Sequence, residues 1–561
     1  MVQDVGVMPL LSWALLAAAS AAPAGDLQSS IEEFQADLGS LSRYYGFPNS
    51  DAARKRFDEL YADREAWLGK VDSTKLDSAG KIDYALFRNE LQLRRRRLVT
   101  EGKVQAGLRK VAPFADRIIA LEEKRVRMEP VDPAVSAKEL TDLAAAVRKA
   151  QAELQAAPPT DAYGLRADGM MNELRRGIRR WFDYYNGYDP QFGWWVKAPF
   201  AELEEALGAY HGVVKTKTLG KPGTIPGYAV GRAALLDDLA SEMIPYSPEE
   251  LIAIADREYA WCLAEVKKAS AQMGFGDDWK AALEAVKQKF VSPGEQPAMI
   301  RKLALEAIDY VESKNLVTVP PLAKESWRMS MMSPERQLVS PFFLGGETIL
   351  VSYPTDTMTH DQKLMSMRGN NPYFSRATVQ HELIPGHHLQ GFMSDRHRPY
   401  RQLFSTPFLV EGWALYWEML LWDMGFPKTP EEKMGMLFWR MHRCTRITFS
   451  LGFHLGQLTP EQCVDMLVDR VGHERANAEG EVRRSFNGSY PPLYQAAYLL
   501  GGLQIRALRK ELVDTKKMTD RQFHDAILKE NSIPVTLIRA SLTGKPPEKG
   551  SVAPWAFAGT L

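Results

Sequence analysis

The segment QHELIPGHHLQ, residues 380–390, holds three of the chain's ten histidines and one acid between positions 381 and 388. The common zinc-protease pattern, His-Glu-x-x-His on a helix, sets two imidazoles on one face four residues apart, with the glutamate beside them as general base. That spacing fails here. Position 385 is proline and the second histidine is His387, six residues after His381. Six residues of regular α-helix turn a side chain through about 600° and advance it roughly 9 Å, so on an unbroken helix the two imidazoles face apart. A tetrahedral zinc with bonds of about 2.0–2.1 Å cannot join them. Pro385, however, has no N–H for the carbonyl of His381, and Gly386 accepts backbone angles that other residues resist. The sequence therefore predicts an expanded turn that brings His381 and His387 together. His388, seven residues on, returns to nearly the same face but about 10.5 Å along the axis, and is the second choice for that ligand.

The segment LVEGWALYWE, residues 409–418, reads as a helix with Glu411 near its start. Glu411 completes a His2Glu zinc site with one position open to water, which leaves Glu382 as the base. Glu418, two turns further, suits a hydrogen bond behind a ligand better than a place on the metal. A His-Glu pair alone means little, as His473-Glu474 in the same chain illustrates.

Around these motifs the pattern is helical. Hydroxyl residues precede Glu or Gln by three positions at Ser136, Ser247, Thr429 and Thr459, and proline follows the last three directly, as at the first turn of a helix. Apolar residues then recur at three and four, as in Leu251, Ile254, Ala255 and Tyr259. Residues 336–353, RQLVSPFFLGGETILVSY, are β-rich and broken by Gly345-Gly346, which predicts a hairpin just before the histidines. Such an edge serves either as structure or as a place to add a peptide strand. The Gly- and Pro-containing stretch 215–231 predicts a surface connection between lobes. The expected fold is mainly α: a two-lobed helical body with a deep cleft and a small hairpin or sheet near the active site. Residues 25–561 form one catalytic unit with its metal site in 381–411.

Arg94 to Arg97 read as a solvated or ion-paired helix face, and the aromatic run from Trp181 to Phe200 as core with a share in a cleft wall. Three cysteines without CxxC spacing read as buried thiols, which argues against a disulfide framework and a thiolate zinc site. Lysines plus arginines balance aspartates plus glutamates at 70 each, so nothing directs the chain to nucleic acid. Residues 8–22, MPLLSWALLAAASAA, are apolar and end in small residues, as a cleavable export signal does. The expectation is a signal over 1–24, a periplasmic or secreted product and no membrane span in the mature chain.

HELIPGHHLQ followed by EGWALYWE closely resembles the bacterial domain of unknown function family 885, itself similar to the helical gluzincin peptidases such as thimet oligopeptidase, carboxypeptidase Taq and angiotensin-converting enzyme. The resemblance runs from about Ser247 to Leu512 and resumes in RCTRITFSLGFH (443–454) and PLYQAAYLLGG (492–502). It implies His381, His387 and Glu411 as zinc ligands and Glu382 as the base in hydrolysis of short peptides. It also implies a phenol or imidazole from the C-terminal part as oxyanion donor, for which Tyr498, Tyr494 and His454 are the candidates. Arg443 and Arg446 have two uses open to them, a clamp on a substrate carboxylate or structural ion pairs. Where many members carry aspartate this chain has Ser450, and it has PLYQ where others have a Pro-Gly-Gln run, departures that bear on substrate preference. Two alternatives share the scaffold: a peptide- or solute-binding protein without turnover, and a hydrolase of a non-peptide amide or ester.

Overall fold

Three of the four predicted capping boxes form. Ser247, Thr429 and Thr459 accept the N–H of Glu250, Glu432 and Gln462, whose side chains reach back to the cap, and proline occupies the first turn of each helix. Ser136 does not cap. It lies inside the helix Pro133–Ala156, where Asp132 directly precedes the proline and takes the first free amides. Two further boxes, at Thr359 with Gln362 and Thr519 with Gln522, start helices that the sequence reading passed over.

The computed structural model describes residues 24–157, 163–219, 224–337 and 342–559. The expected signal over 1–24 lies, but for Ala24, outside the described residues. Among these residues the chain forms 23 α-helices and one two-stranded sheet. The helices Ala115–Val126, Pro133–Ala156, Gly164–Tyr185 and Pro190–Thr218 enclose a core of their own, with Leu140, Leu143 and Val147 facing Leu203, Leu207 and Tyr210. Most of the other described helices surround a larger core, and a small third one lies beside the sheet, with Ile349 and Val351 against Ile300, Val379 and Leu383. The long helix Ser78–Val111 spans the first two, giving Ile82, Leu86 and Leu91 to the large core and Leu108 to the four-helix one. None of the described helices is long and apolar enough to cross a membrane.

Several expectations are corrected in detail. The predicted hairpin is a parallel pair, Arg328–Met331 with Thr348–Val351, because the partner strand comes from before the β-rich run. The glycine pair supports only a single antiparallel bridge between Leu344 and Leu350. The connection expected from residue 215 starts later, since the helix Pro190–Thr218 continues to its last turn. In the aromatic run Trp181 and Phe192 are core, but Trp194 is 85% exposed and Trp195 51%, on the side of their helix turned away from the core. Arg94, Arg95 and Arg97 pair with Glu90, Asp58 and Glu65, and Asp238, and Arg96 donates to Ser241, an ion-paired face as expected. All three cysteines are free and buried.

The site depends on how closely two helices approach. Pro407–Asp423 carries Glu411, and Tyr494–Leu512 carries Tyr494 and Tyr498. At their crossing Gly412 meets Gly501: a Cβ on Gly501 would stand 1.8 Å from the carbonyl oxygen of Phe408, and one on Gly412 2.6 Å from Cα of Gly501. Only glycine permits this backbone contact, which sets the phenols beside the carboxylate.

Candidate metal centre

The helix Pro372–Glu382 stops one residue after His381, and a new one, His387–Ser394, begins with the second histidine. The expected bulge is therefore a full break, with a cis bond between Ile384 and Pro385. Pro385 cannot continue the ladder, and the Gly386 N–H turns back to the carbonyl of Gln380 at 3.0 Å. Gly386 sits so tightly that a Cβ there would lie 1.9 Å from the carbonyl oxygen of His381. Trp413 pins the turn from the neighbouring helix by donating to the carbonyl of Pro385 at 2.9 Å.

The break brings the two histidines together. Their ring centroids are 4.8 Å apart with planes at 84°, and Nε2 of His387 and of His381 lie 3.2 Å and 3.6 Å from Oε2 of Glu411. The edge of a tetrahedron with bonds of about 2.0–2.1 Å measures about 3.4 Å, so these separations would fit three atoms around one such ion. Glu411 Oε2 is buried and has no hydrogen-bond donor, while Oε1 accepts from the hydroxyl of Tyr494. Glu382 also belongs to the cluster, its carboxylate within 4.8 Å of both imidazoles. Two carboxylates thus face the histidines. Glu411 is the better candidate ligand, because its free oxygen approaches both Nε2 atoms, and Glu382 would then stand beside the metal.

Behind the cluster Glu418 accepts from Nδ1 of His381 at 2.7 Å, which fixes the ring with Nε2 toward Glu411. Burial opposes a charge on His381, yet its contacts with Glu411 and Glu418 outweigh burial and raise the imidazole to about 9. Burial likewise opposes charge on Glu411, but His387 and His381 hold its carboxyl well below the usual range. The carboxylates therefore draw positive charge, a proton included, to the point where the donors converge. Burial pushes the Glu382 carboxyl up from its ordinary value.

His388 points elsewhere, its Nε2 2.7 Å from the carbonyl oxygen of Ala323. His454 does not reach the centre either; it packs on Phe453 and Phe486, outside the cavity. Tyr494, expected as an oxyanion donor, is instead spent on Glu411. Tyr498 lines the cavity with its ring stacked at 15° to His381, at 6.1 Å. Arg443 and Arg446 line it too, packed on the Tyr498 ring with Cζ at 4.4 and 4.8 Å from its centre. The reading from sequence missed Arg484, Glu481 and Tyr490, which share this cavity of about 210 Å³. No spacing could have found them, since they come from a helix end and loop far from either motif.

Solved structures share this fold. Two of them, each described as a putative lipoprotein, come from Shewanella oneidensis and Colwellia psychrerythraea. The first is 19% identical with a TM-score of 0.69 over 93% of this chain and 100% of its own, and its description adds that its function is unknown. The second is 15% identical with a TM-score of 0.58 over 93% and 98%. No curated protein matches the chain. The profile of a bacterial protein family of unknown function, DUF885, matches residues 37–542, well beyond the stretch in which the motifs lie, and the chain belongs to that family.

Proposed function

We propose that this chain is an exported zinc-dependent hydrolase, a peptidase that cleaves short peptides. The observation that carries the reading is the meeting of His381, His387 and Glu411 at ligand separations, with Glu382 beside them in one buried cavity. His381, His387 and Glu411 would hold the zinc, which when bound would supply Lewis acidity toward a carbonyl and a water. Glu382 takes the proton of the attacking water and returns it to the leaving amine. Tyr498 donates its hydroxyl to the carbonyl oxygen as negative charge gathers there. Glu418 and Tyr494 hold His381 and Glu411 in place. The likeness of the two motifs to helical gluzincin peptidases supports the same chemistry. Export is supported by the apolar stretch at residues 8–22 and by the description of structural neighbours as lipoproteins.

The test pairs metal content with turnover. Purified protein should carry one zinc per chain by elemental analysis and release products from a mixed peptide library, identified by mass. Glu382→Gln should keep the zinc and lose most of the turnover. A metal-free native protein, a library left intact, or a fully active Glu382→Gln contradicts the reading.

A further inference from the structure

The arginine side of the metal cavity carries more positive charge than its own residues neutralise. Arg443, Arg446 and Arg484 line it with three carboxylates, of which Glu382 and Glu411 belong to the histidine cluster and Glu481 alone lies against the arginines. Glu481 is fully buried, bonds to Arg446 and lies 3.7 Å from Nη1 of Arg484. Arg443 has no close partner. Its nearest carboxylate, Glu418, is 4.0 Å away and already committed to His381. Nε of Arg443, Nε and Nη1 of Arg446, and Nε of Arg484 are buried without any acceptor. Arg446 is 2% exposed and Arg443 5%. Buried guanidinium groups with unpaired donors leave a positive potential that an anion entering the cavity would offset.

Aromatic rings hold these guanidinium groups from the side. Arg443 and Arg446 rest on Tyr498, and Arg484 on Tyr490 with Cζ 4.7 Å from the ring centre. Stacking uses the guanidinium faces and leaves their edges for a planar two-oxygen partner, which a carboxylate fits. The cavity, about 210 Å³, is smaller than the roughly 300–1,000 Å³ of sites that enclose drug-sized ligands, and suits one terminal residue better than a run of chain. We infer that Arg443, Arg446 and Arg484 form the subsite for the C-terminal carboxylate of a peptide, so that the bond presented to the metal centre lies close to that terminus. The inference rests on the peptidase reading above and narrows its substrates to peptides with a free C-terminus.

Three probes separate the possibilities: N-acetyl-trialanine as the free acid, the same peptide as its C-terminal amide, and N-acetyl-Ala-Ala-Glu amide, whose only carboxylate is a side chain. Binding is measured by calorimetry to zinc-loaded Glu382→Gln. The free acid should bind roughly 10–100-fold more tightly than either amide, the range of a charge-assisted hydrogen bond. Arg443→Gln, added to that protein, should remove most of the preference at unchanged zinc content. On the unaltered enzyme the same order should appear in kcat/KM. Equal binding of acid and amide, or binding of the glutamate amide as tight as the free acid, overturns the subsite. A free-acid preference in a protein that hydrolyses none of the probes leaves the subsite standing and refutes the hydrolase reading instead.

Discussion

Gly386→Ala perturbs the metal centre without touching a ligand. The new Cβ would stand 1.9 Å from the carbonyl oxygen of His381 and 2.6 Å from that of Gln380, and both obstacles are backbone. The first contact must open by more than an ångström to reach even 3.0 Å, and the next residue along the chain is His387. Ligand positions tolerate only about 0.2 Å before affinity suffers. Loss of a supporting hydrogen bond behind a ligand typically costs 10–100-fold in metal affinity, so moving the ligand itself should cost at least about 100-fold, or roughly 2.7 kcal/mol. The assay is a competitive chelator titration of zinc, with circular dichroism of the metal-free protein to show that the helices persist. Gly391→Ala is the control: a Cβ there meets nothing within 4 Å, and alanine in a helix stabilises by up to about 1 kcal/mol. If Gly386→Ala binds zinc as tightly as the unaltered protein, the turn does not set the ligand geometry and the reasoning fails.

Glu418→Gln should weaken zinc binding roughly 10–100-fold while the fold survives, because His381 loses the partner on Nδ1; unchanged affinity in the chelator titration contradicts that role. Tyr498→Phe should lower turnover by roughly 10²–10³-fold at full zinc content. Tyr494→Phe should act first on zinc affinity, by freeing Glu411, and the opposite pattern would exchange the two roles. His473, held neutral by burial down to about 3, should make stability depend on pH. The unfolded chain takes up a proton below about pH 6.5 that the folded one refuses, so stability is complete above that pH and declines as pH falls toward 3, by up to about 1.4 kcal/mol per unit. Urea midpoints between pH 7 and 5 should show a shallower decline in His473→Asn, and identical slopes would refute the assignment.

Much of this was legible from local chemistry. A hydroxyl, a proline and then a glutamate or glutamine in the right order favour a helix start, so Ser247, Thr429 and Thr459 cap as read, whereas at Ser136 the proline lies before the hydroxyl and Asp132 takes the cap. The faulty His-x-x-x-His spacing with its Pro-Gly correctly foretold a departure from regular helix, though it did not reveal that the departure is a complete break. His387 and His388 could not be told apart by spacing. Their difference lies in what each ring meets, Glu411 for one and the carbonyl of Ala323 for the other. Long-range partners were equally hidden. His473, taken from sequence as a histidine with no second one near it, lies 2.8 Å from His442, thirty-one residues away. Arg484 and Glu481 entered the cavity through the packing of helices that no motif marks.

The most direct measurement of the central claim is anomalous scattering at the zinc edge from crystals of the native protein. The expected result is one strong peak at about 2.0–2.2 Å from Nε2 of His381, Nε2 of His387 and an oxygen of Glu411, with Glu382 outside bonding distance. A peak bonded to Glu382 in place of Glu411, or no peak among these residues, would contradict the account.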